Sequence, residues 1–474
     1  MVDKSVADRL SLDRRGFMKA SGGAAGFGIL GQTTGGGNER GAGGSSPTFV
    51  PLTYRTPGAL YNPLQGTGVT GRGRGGRKSR VGFVIIHQSF SVLTADQIGS
   101  FTDVSIGEEF AKRGYRAIVA DTEETAGSYH VHDLLPDIGA AVREMRAQPD
   151  VDTVIVVGYS RGASLMSFYQ NFAENGPEVA QGDDLLFPAP DDIEPQPAAD
   201  GILILDGVLG TGPGGGSQPE GLLEIDPRIE DNDPQSLGGP DPYATANGFD
   251  SDGNADYSAG FLDDVFSAQA DRMNRLIDEA ESVASAVDDG DGNFPDDDQF
   301  LAAGLNTPVA DFDSDLLAHT RDEWPLLRTD GSVSVQQVPY VGPTPTANSE
   351  VSYANDSLPT TVKRFLSTSA IRPTDDYRIT EDSIEGLDYS STNAEAPGNL
   401  EGVSAPTLIM GFTGDRNYNV HCETMMNHAG SSDKSLKFIE GAGHGFQPLD
   451  EQQYGDTASL IFDTIDEWAT ERFV

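Results

Sequence analysis

The sequence predicts an α/β protein with a mostly parallel central sheet and helices on both faces. Short apolar runs without polar alternation, at 81–87 and 201–205 for example, are typical of strands buried on both sides. Segments with helical spacing, such as 132–147, lie between such runs. Because strands that alternate with helices are joined by right-handed crossovers, the pattern predicts a parallel sheet.

The remaining elements of the sheet domain follow in chain order. We predict further strands at 115–120, 153–157, 406–410 and 436–440, and further helices at 107–113, after Ser160 and at the C-terminus. Between about 208 and 399 the alternation stops, and the composition turns to Asp, Gly and Pro. There we expect only a long helix at 256–287 and a short one at 360–368. We interpret this segment as an acidic cap or lid, with disordered loops, inserted into the sheet domain.

Length and composition suggest how the chain is divided. At 474 residues it is long for one domain, which favours a large domain with an insertion. The predicted divisions are an export signal at 1–31, a Gly/Ser/Pro-rich linker at 32–80, the first part of the sheet domain at 81–207, the insertion at 208–399 and the second part of the sheet domain at 400–474.

The charge of the chain is extreme for a folded protein. Asp and Glu number 74 against 31 Lys and Arg, for a formal net charge of -43. An acidic surface poor in Lys keeps a protein hydrated in concentrated salt, where self-repulsion is screened. We therefore predict a halophilic protein. The same charge argues against nucleic acid as a partner.

The N-terminal segment carries an export motif. Arg14 and Arg15 precede a mildly apolar, Gly-rich run that ends near Leu30. Twin arginines before a weak hydrophobic segment are typical of a twin-arginine (Tat) export signal. That run is too short and too rich in glycine to span a bilayer stably. We expect an exported protein, extracellular or at the cell surface, without a membrane span.

Two acidic stretches, 250–256 and 288–293, resemble the beginnings of calcium-binding loops. Both place oxygen ligands at alternate positions, as a hard cation requires. Neither has the bidentate glutamate at the twelfth position, and a chain this acidic produces such clusters by composition alone. We predict no metal site.

One stretch of the chain has the form of a nucleophile elbow. The apolar run 153–157 leads into Gly158-Tyr159-Ser160-Arg161-Gly162, and an apolar-patterned segment follows. This small-x-Ser-x-small turn leaves a serine exposed between a buried strand and the N-terminus of a helix. The glycines are expected because a side chain at either position would collide with the neighbouring helix or strand.

Two further loops complete a possible catalytic triad. Asp415 follows the strand at 406–410, and His444 follows the strand at 436–440 within Gly-Ala-Gly-His-Gly-Phe. A serine hydroxyl needs a base that takes its proton, an imidazole can later return that proton, and a carboxylate orients the imidazole. Nucleophile, acid and histidine in this order resemble the α/β-hydrolase superfamily over about 80–210 and 400–474. The resemblance implies an α/β-hydrolase fold with a large acidic cap insertion.

Some assignments stay open at this point. Asp206, after the strand at 201–205, and Glu423 are alternative acids, and His421 and His428 are rival histidines. The resemblance places the oxyanion hole at the backbone N–H of Arg161 and at one N–H of Gln88 or Ser89. The H-G-G-G form of lipases is absent there, since the sequence reads His-Gln-Ser-Phe.

Together these features predict an exported serine hydrolase that cleaves carboxylic esters through an acyl-enzyme, without a cofactor. Its substrate would be a small-molecule or polymeric ester, and the sequence does not indicate an oligomeric state. A peptidase, a thioesterase or a polyester depolymerase could use the same residues, because substrate choice resides in the cap and pocket. A surface protein that keeps the fold without catalysis is the alternative from another class.

Overall fold

The structure is a computed structural model. It describes residues 48–52, 57–64, 75–87, 105–120, 122, 130–210, 225–230, 232–233, 235–250, 254–305, 307, 309–343, 357–415 and 418–474. The predicted export signal, most of the predicted linker, residues 251–253 of the first calcium-like stretch, and both Gln88 and Ser89 lie outside these residues.

Fourteen strands occur in the described residues. In chain order they are β1 (Thr48–Pro51), β2 (Pro57–Tyr61), β3 (Val81–His87), β4 (Arg116–Ala120), β5 (Thr153–Tyr159), β6 (Gly201–Leu205), β7 (Gln299–Ala302), β8 (His319–Leu327), β9 (Val333–Pro339), β10 (Leu358–Thr361), β11 (Arg372–Ile379), β12 (Ile384–Asp388), β13 (Thr407–Phe412) and β14 (Lys434–Ile439).

Ten of these strands form one sheet in the order β1-β2-β4-β3-β5-β6-β13-β14-β8-β9. Every pairing from β4 across to β8 is parallel, whereas β2 and β9 run antiparallel to their neighbours. Because parallel strands end at the same edge, the loops after β5, β6, β13 and β14 all leave from one edge of the sheet. That edge carries every residue of the predicted triad.

The helices of the described chain are α1 (Gly75–Lys78), α2 (Ile106–Lys112), α3 (Leu135–Ala147), α4 (Gly162–Asn175), α5 (Ala259–Asp288), α6 (Val309–Phe312), α7 (Val362–Thr368), α8 (Ala396–Glu401), α9 (Tyr418–His428), α10 (Glu451–Tyr454) and α11 (Thr457–Phe473). A 3₁₀ turn at Val131–Leu134 leads into α3.

The sheet separates two hydrophobic cores. Val154 and Val156 of β5 face a core that includes α3 and α4, whereas Ile155 and Val157 face a core that includes α2 and α11. Successive side chains of a strand point to opposite faces, so a continuous apolar run supplies both cores. This explains why the strands show no polar alternation in the sequence.

The segment predicted as a cap packs into the same hydrophobic core as one face of the sheet. Its central helix α5 begins at Ala259 because the Ser258 side chain accepts the Phe261 N–H at 3.3 Å. The guanidinium of Arg272 is buried and donates to the backbone carbonyls of Asp226 and Gly304 at 3.0 and 3.2 Å. Two small antiparallel sheets, β7 with β10 and β11 with β12, complete this part of the segment.

Two strands of the same segment lie in the main sheet. β8 pairs in parallel with β14, and β9 continues the sheet as a hairpin with β8. The segment therefore contributes the far edge of the central sheet in addition to the elements around α5. The alternating, partly exposed side chains of β9 explain why its sequence lacks the apolar run of a buried strand.

The predicted fold class is confirmed by this architecture. The chain has a mostly parallel sheet covered on both faces, with a strand–turn–helix unit formed by β5, Ser160 and α4 near its centre. This is the α/β-hydrolase fold. None of the helices in the described part of the chain has the length and apolar content needed to cross a bilayer.

Candidate active site

Ser160 lies at a sharp turn between β5 and α4. Its φ of 57° lies in the left-handed region, which is uncommon for residues with a side chain. The turn is held from both directions, since the Ser160 N–H donates to the carbonyl of Leu205 at 3.0 Å and its carbonyl accepts the Ala163 N–H at 3.0 Å. Such a backbone conformation persists only where surrounding contacts determine it.

The geometry of this turn requires glycine at position 158. A Cβ at Gly158 would lie 2.5 Å from the carbonyl oxygen of Gly162 and 2.7 Å from the Cα of Ala163. Both atoms belong to the backbone of the first turn of α4, so no side-chain rotation could remove the clash. The close approach of strand and helix places Ser160 just before the N-terminus of α4, where the partial positive charge favours a developing anion.

His444 lies beside this turn. Its ring stacks on the ring of Tyr159, the residue before Ser160, with centroids 4.9 Å apart. The Tyr159 hydroxyl also donates to the backbone carbonyl of His444. The edge of the ring meets Tyr418 at a centroid distance of 5.4 Å. The loop after β14 is therefore fastened to the strand that ends in Ser160.

Two carboxylates meet the same nitrogen of His444. The Nδ1 atom lies 2.7 Å from Oδ2 of Asp206 and 2.7 Å from Oδ2 of Asp415. Asp206 is fully buried, and its other oxygen accepts the Phe412 N–H at 3.0 Å. Asp415 is less enclosed, with 27% of its side chain exposed. The sequence offered these aspartates as alternatives, and the structure brings both of them to the imidazole.

The sheet order accounts for this convergence. Asp206 directly follows β6, Asp415 follows β13 and His444 follows β14, and these three strands are neighbours in the sheet. Their loops leave from one edge, so residues more than 200 positions apart in the chain come within hydrogen-bond distance.

The pKa values of the cluster are strongly shifted. Burial raises the pKa of Asp206 to about 8, and the negative charge of Asp415 acts in the same direction. Desolvation alone would lower the pKa of His444, but the hydrogen bonds and charges of Asp206 and Asp415 raise it to about 10. Two adjacent carboxylates resist simultaneous ionisation, so the pair tends to hold a proton between them.

The other alternative residues lie elsewhere. The carboxylate of Glu423 accepts the backbone N–H groups of Arg321 and Asp322 at 2.7 and 2.8 Å and the indole N–H of Trp324 at 2.7 Å, all on β8. His428 pairs with Glu401 at 2.7 Å. His421 is fully buried within α9, where its ring stacks on Tyr418.

The predicted oxyanion hole is only partly described. Arg161 occupies the position just before α4, directly after Ser160. Gln88 and Ser89, the predicted sources of the second donor, lie outside the described residues. In the chain they directly follow β3, which is the neighbour of β5 in the sheet.

Two carboxylates and an imidazole are also possible ligands of a metal ion. The ligand atoms of Asp206, Asp415 and His444 lie within 4.8 Å of one another. However, each carboxylate already approaches Nδ1 at the distance of a hydrogen bond, which leaves no space for an ion between them. The contacts fit a hydrogen-bonded imidazole better than a metal centre.

Comparisons with known proteins give matches among solved structures only. Neither a scan against protein-family models nor a search of curated proteins gives a match. Among solved structures, the chain is similar to siderophore hydrolase EstB from Aspergillus fumigatus, at 10% identity and a TM-score of 0.41, over 91% of this chain and 98% of that one. It is also similar to a soluble variant of monoglyceride lipase from Saccharomyces cerevisiae, at 11% identity and a TM-score of 0.39, over 95% of this chain and 100% of that one.

A third similar structure is Est1E from Butyrivibrio proteoclasticus. The identity is 10% and the TM-score 0.35, over 90% of this chain and 98% of that chain. At such identities a similarity concerns the fold alone, and the fold assignment here rests on the strand order of the sheet.

Proposed function

We propose that this protein is a serine hydrolase that cleaves carboxylic esters through an acyl-enzyme. The observation that carries the proposal is the imidazole of His444, which is held by carboxylates at Nδ1 and stacked against the residue before Ser160. An imidazole held at one nitrogen presents the other for proton transfer. A serine on a strained turn at a helix N-terminus is the matching nucleophile.

In the proposed reaction, the Ser160 hydroxyl attacks the ester carbonyl carbon while His444 takes its proton. The tetrahedral oxyanion accepts two hydrogen bonds, one from the backbone N–H of Arg161 and one from that of Gln88 or Ser89. Collapse expels the alkoxide, to which His444 returns the proton, and an acyl-enzyme remains. Water, activated in the same way by His444, then attacks the acyl-enzyme and releases the carboxylic acid and free Ser160. In this scheme Asp206 and Asp415 orient the imidazole and stabilise its charged form.

The decisive experiment is covalent labelling of the folded protein with a fluorophosphonate in molar salt. We expect a single adduct on Ser160, located by peptide mass spectrometry. Ser160→Ala should lose the adduct and reduce ester hydrolysis by a factor on the order of 10⁶. Ser332→Ala, which removes an exposed serine from the β8–β9 hairpin, is the matched control and should behave like the parent. A folded protein whose Ser160 stays unmodified would refute the proposal and favour a non-catalytic surface protein.

A substrate panel separates the related activities. p-Nitrophenyl esters of increasing chain length, peptides, acyl thioesters and a polyester film would be compared with the same enzyme preparation. We expect the highest kcat/KM on esters. A higher value on peptides, thioesters or the polymer would reassign the substrate class while leaving Ser160 as the nucleophile.

We also propose that the chain is exported by the Tat pathway, which the twin arginines Arg14 and Arg15 support. Replacing both by lysine should leave the protein inside the cells. Fractionation and immunoblotting would measure this, and unchanged export of the double variant would contradict the proposal.

A further inference from the structure

A second cluster of chemically reactive side chains lies away from Ser160, at the 3₁₀ turn before α3. It consists of His130, His132 and Asp133, within the sequence His-Val-His-Asp. Potential ligand atoms of the three side chains all lie within 4.8 Å of one another. The sequence pattern alone did not indicate a site here, because the two histidines are separated by a single residue within a turn.

We propose that His130, His132 and Asp133 form a binding site for a divalent transition-metal ion such as Zn²⁺. Two imidazoles and one carboxylate are a ligand set typical of zinc. The proposal is independent of the reaction proposed for Ser160, and it departs from the expectation of no metal drawn from the sequence.

The separations between ligand atoms are compatible with a shared metal ion, and one of the two also lies within hydrogen-bond range. Nδ1 of His130 lies 3.2 Å from Oδ2 of Asp133, and Nε2 of His132 lies 3.6 Å from its Oδ1. Ligands held at zinc bond lengths in a tetrahedron are roughly 3.4 Å apart. A separation of 3.6 Å is too long for a hydrogen bond. Within the described chain, the His132 ring makes no hydrogen bond, although it is only 7% exposed.

The surroundings hold the ligands in place. The Phe187 ring packs against both imidazoles, with centroids 4.6 Å from His130 and 5.7 Å from His132. The His130 backbone N–H donates to Oδ2 of Asp133 at 2.8 Å and so orients the carboxylate. Contacts of this kind behind the ligands strengthen metal binding.

The other side of the cluster faces solvent. The side chain of His130 is 24% exposed and that of Asp133 is 47% exposed. Water can therefore reach the ion and occupy a further coordination position, as tetrahedral zinc requires beyond three protein ligands.

The position of the cluster indicates what the ion would do. The Val131 N–H donates to Oγ of Ser367 at 2.8 Å, which links this turn to α7 of the inserted segment. Phe187 belongs to the connection between α4 and β6. An ion bound at the turn would therefore fix a junction between the sheet domain and the insertion.

Metal binding is tested on the full chain, freed of metal with EDTA and titrated with ZnCl₂ in molar KCl by calorimetry. We expect one Zn²⁺ to bind per chain at this site, with a rise in the thermal unfolding midpoint. Co²⁺ used as a spectroscopic probe should give the visible absorption bands of a tetrahedral nitrogen- and oxygen-bound ion. A chain that binds neither ion would overturn the proposal.

The variants assign the binding to these residues. His130→Gln changes a partly exposed side chain and Asp133→Asn an exposed one. Each should weaken Zn²⁺ binding by about 100-fold or more, because even the loss of a contact behind a ligand can cost up to about 100-fold. His428→Gln is the matched histidine control and should bind normally. Asp415→Asn changes the cluster around His444 and should also bind Zn²⁺ as the parent does. Unchanged binding in the first two variants, or its loss in Asp415→Asn, would contradict the assignment. Circular dichroism of each metal-free variant confirms that it is folded.

Discussion

At the residue scale, the central feature is one imidazole nitrogen shared by two carboxylates. Nδ1 of His444 lies 2.7 Å from both Asp206 and Asp415. A single N–H cannot make two ideal hydrogen bonds in different directions, so the second carboxylate acts mainly through its charge and through a proton shared with the first. The expected result is an imidazole that is more basic than one held by a single acid.

This arrangement predicts an alkaline pH dependence. The proposed general base must be neutral to accept the Ser160 proton, and the pKa of His444 is raised to about 10. We therefore expect kcat/KM to rise as pH increases from neutral towards 10. Asp415→Asn removes a charge that raises this pKa, so the ascending limb of the variant's pH profile of kcat/KM should move to lower pH. Rate profiles of the parent and the variant measure the shift.

A control separates this effect from a general change in surface charge. Asp433→Asn removes a carboxylate that pairs with Arg472, at 2.7 Å, on another part of the surface. It should leave the ascending limb where it is in the parent. A limb that stays in place in Asp415→Asn, or that moves to higher pH, would show that Asp415 does not act on His444.

The same pair predicts non-additive kinetic losses. Each single change, Asp206→Asn or Asp415→Asn, leaves one carboxylate to hold the tautomer of His444. We expect each loss in kcat to be smaller than the factor of about 10⁴ known for amide replacement of a sole triad aspartate, and the double variant to approach that factor. If one single change alone gives the full loss and the other gives none, the first residue is the only triad acid.

At the element scale, the β5–Ser160–α4 unit depends on close contact between strand and helix. Gly158 makes that contact possible, because its missing side chain leaves room for the backbone of Gly162 and Ala163. The unit therefore couples the stability of the fold to the position of Ser160.

Replacing Gly158 by alanine tests this coupling. The added Cβ would meet backbone atoms at 2.5 and 2.7 Å, so strand and helix must separate. We expect the free energy of unfolding to fall by about 1–3 kcal/mol, as for other overpacked sites, and the fluorophosphonate reaction of Ser160 to slow. Urea denaturation and labelling rates measure the two effects.

Gly260→Ala is the matched control for that change. Gly260 lies in the first turn of α5, and a Cβ there would meet nothing within 4 Å. Alanine also favours a helix over glycine, so the stability should be unchanged or higher. A Gly158→Ala protein as stable and as reactive as this control would contradict the assigned role of Gly158.

At the scale of the whole molecule, the net negative charge is the feature with the largest expected effect on stability. A formal net charge of -43 on 474 residues opposes the compact state through self-repulsion. The ion pairs of the described chain do not offset this, since acidic residues outnumber basic ones by more than two to one. We therefore expect the fold to depend on screening of this charge by salt.

Salt should accordingly stabilise the fold. Between 0.1 M and 1 M ionic strength the Debye length falls from about 10 Å to about 3 Å, which weakens repulsion between surface carboxylates. We expect the urea midpoint of unfolding to rise over this range of KCl. NaCl at equal concentration should raise the midpoint by a similar amount, whereas sucrose at matched osmolality should not reproduce the effect of the salt. A midpoint that falls with KCl would contradict the halophilic interpretation.

Local patterns in the sequence were sufficient to predict the fold class, the central strands and the candidate residues Ser160 and His444. Apolar runs indicate strands buried on both faces, and the Gly-x-Ser-x-Gly turn has a local geometry that the sequence itself specifies. Similar reasoning located α5, although its start depends on the side chain of Ser258.

Tertiary structure alone decided the features that depend on distant parts of the chain. Asp206 and Asp415 share one nitrogen because β6 and β13 are neighbours in the sheet, although about 200 residues separate them. β8 pairs with β14 and β9 pairs with β8, and together they complete the sheet edge. The sequence of β9 does not reveal this, because its side chains are partly exposed and do not form an apolar run. His130, His132 and Asp133 are close in the chain, but the ring that packs against the two histidines belongs to Phe187, more than 50 residues further on. Strand order and side-chain packing arise only when the chain is folded, so spacing along the sequence could not show them.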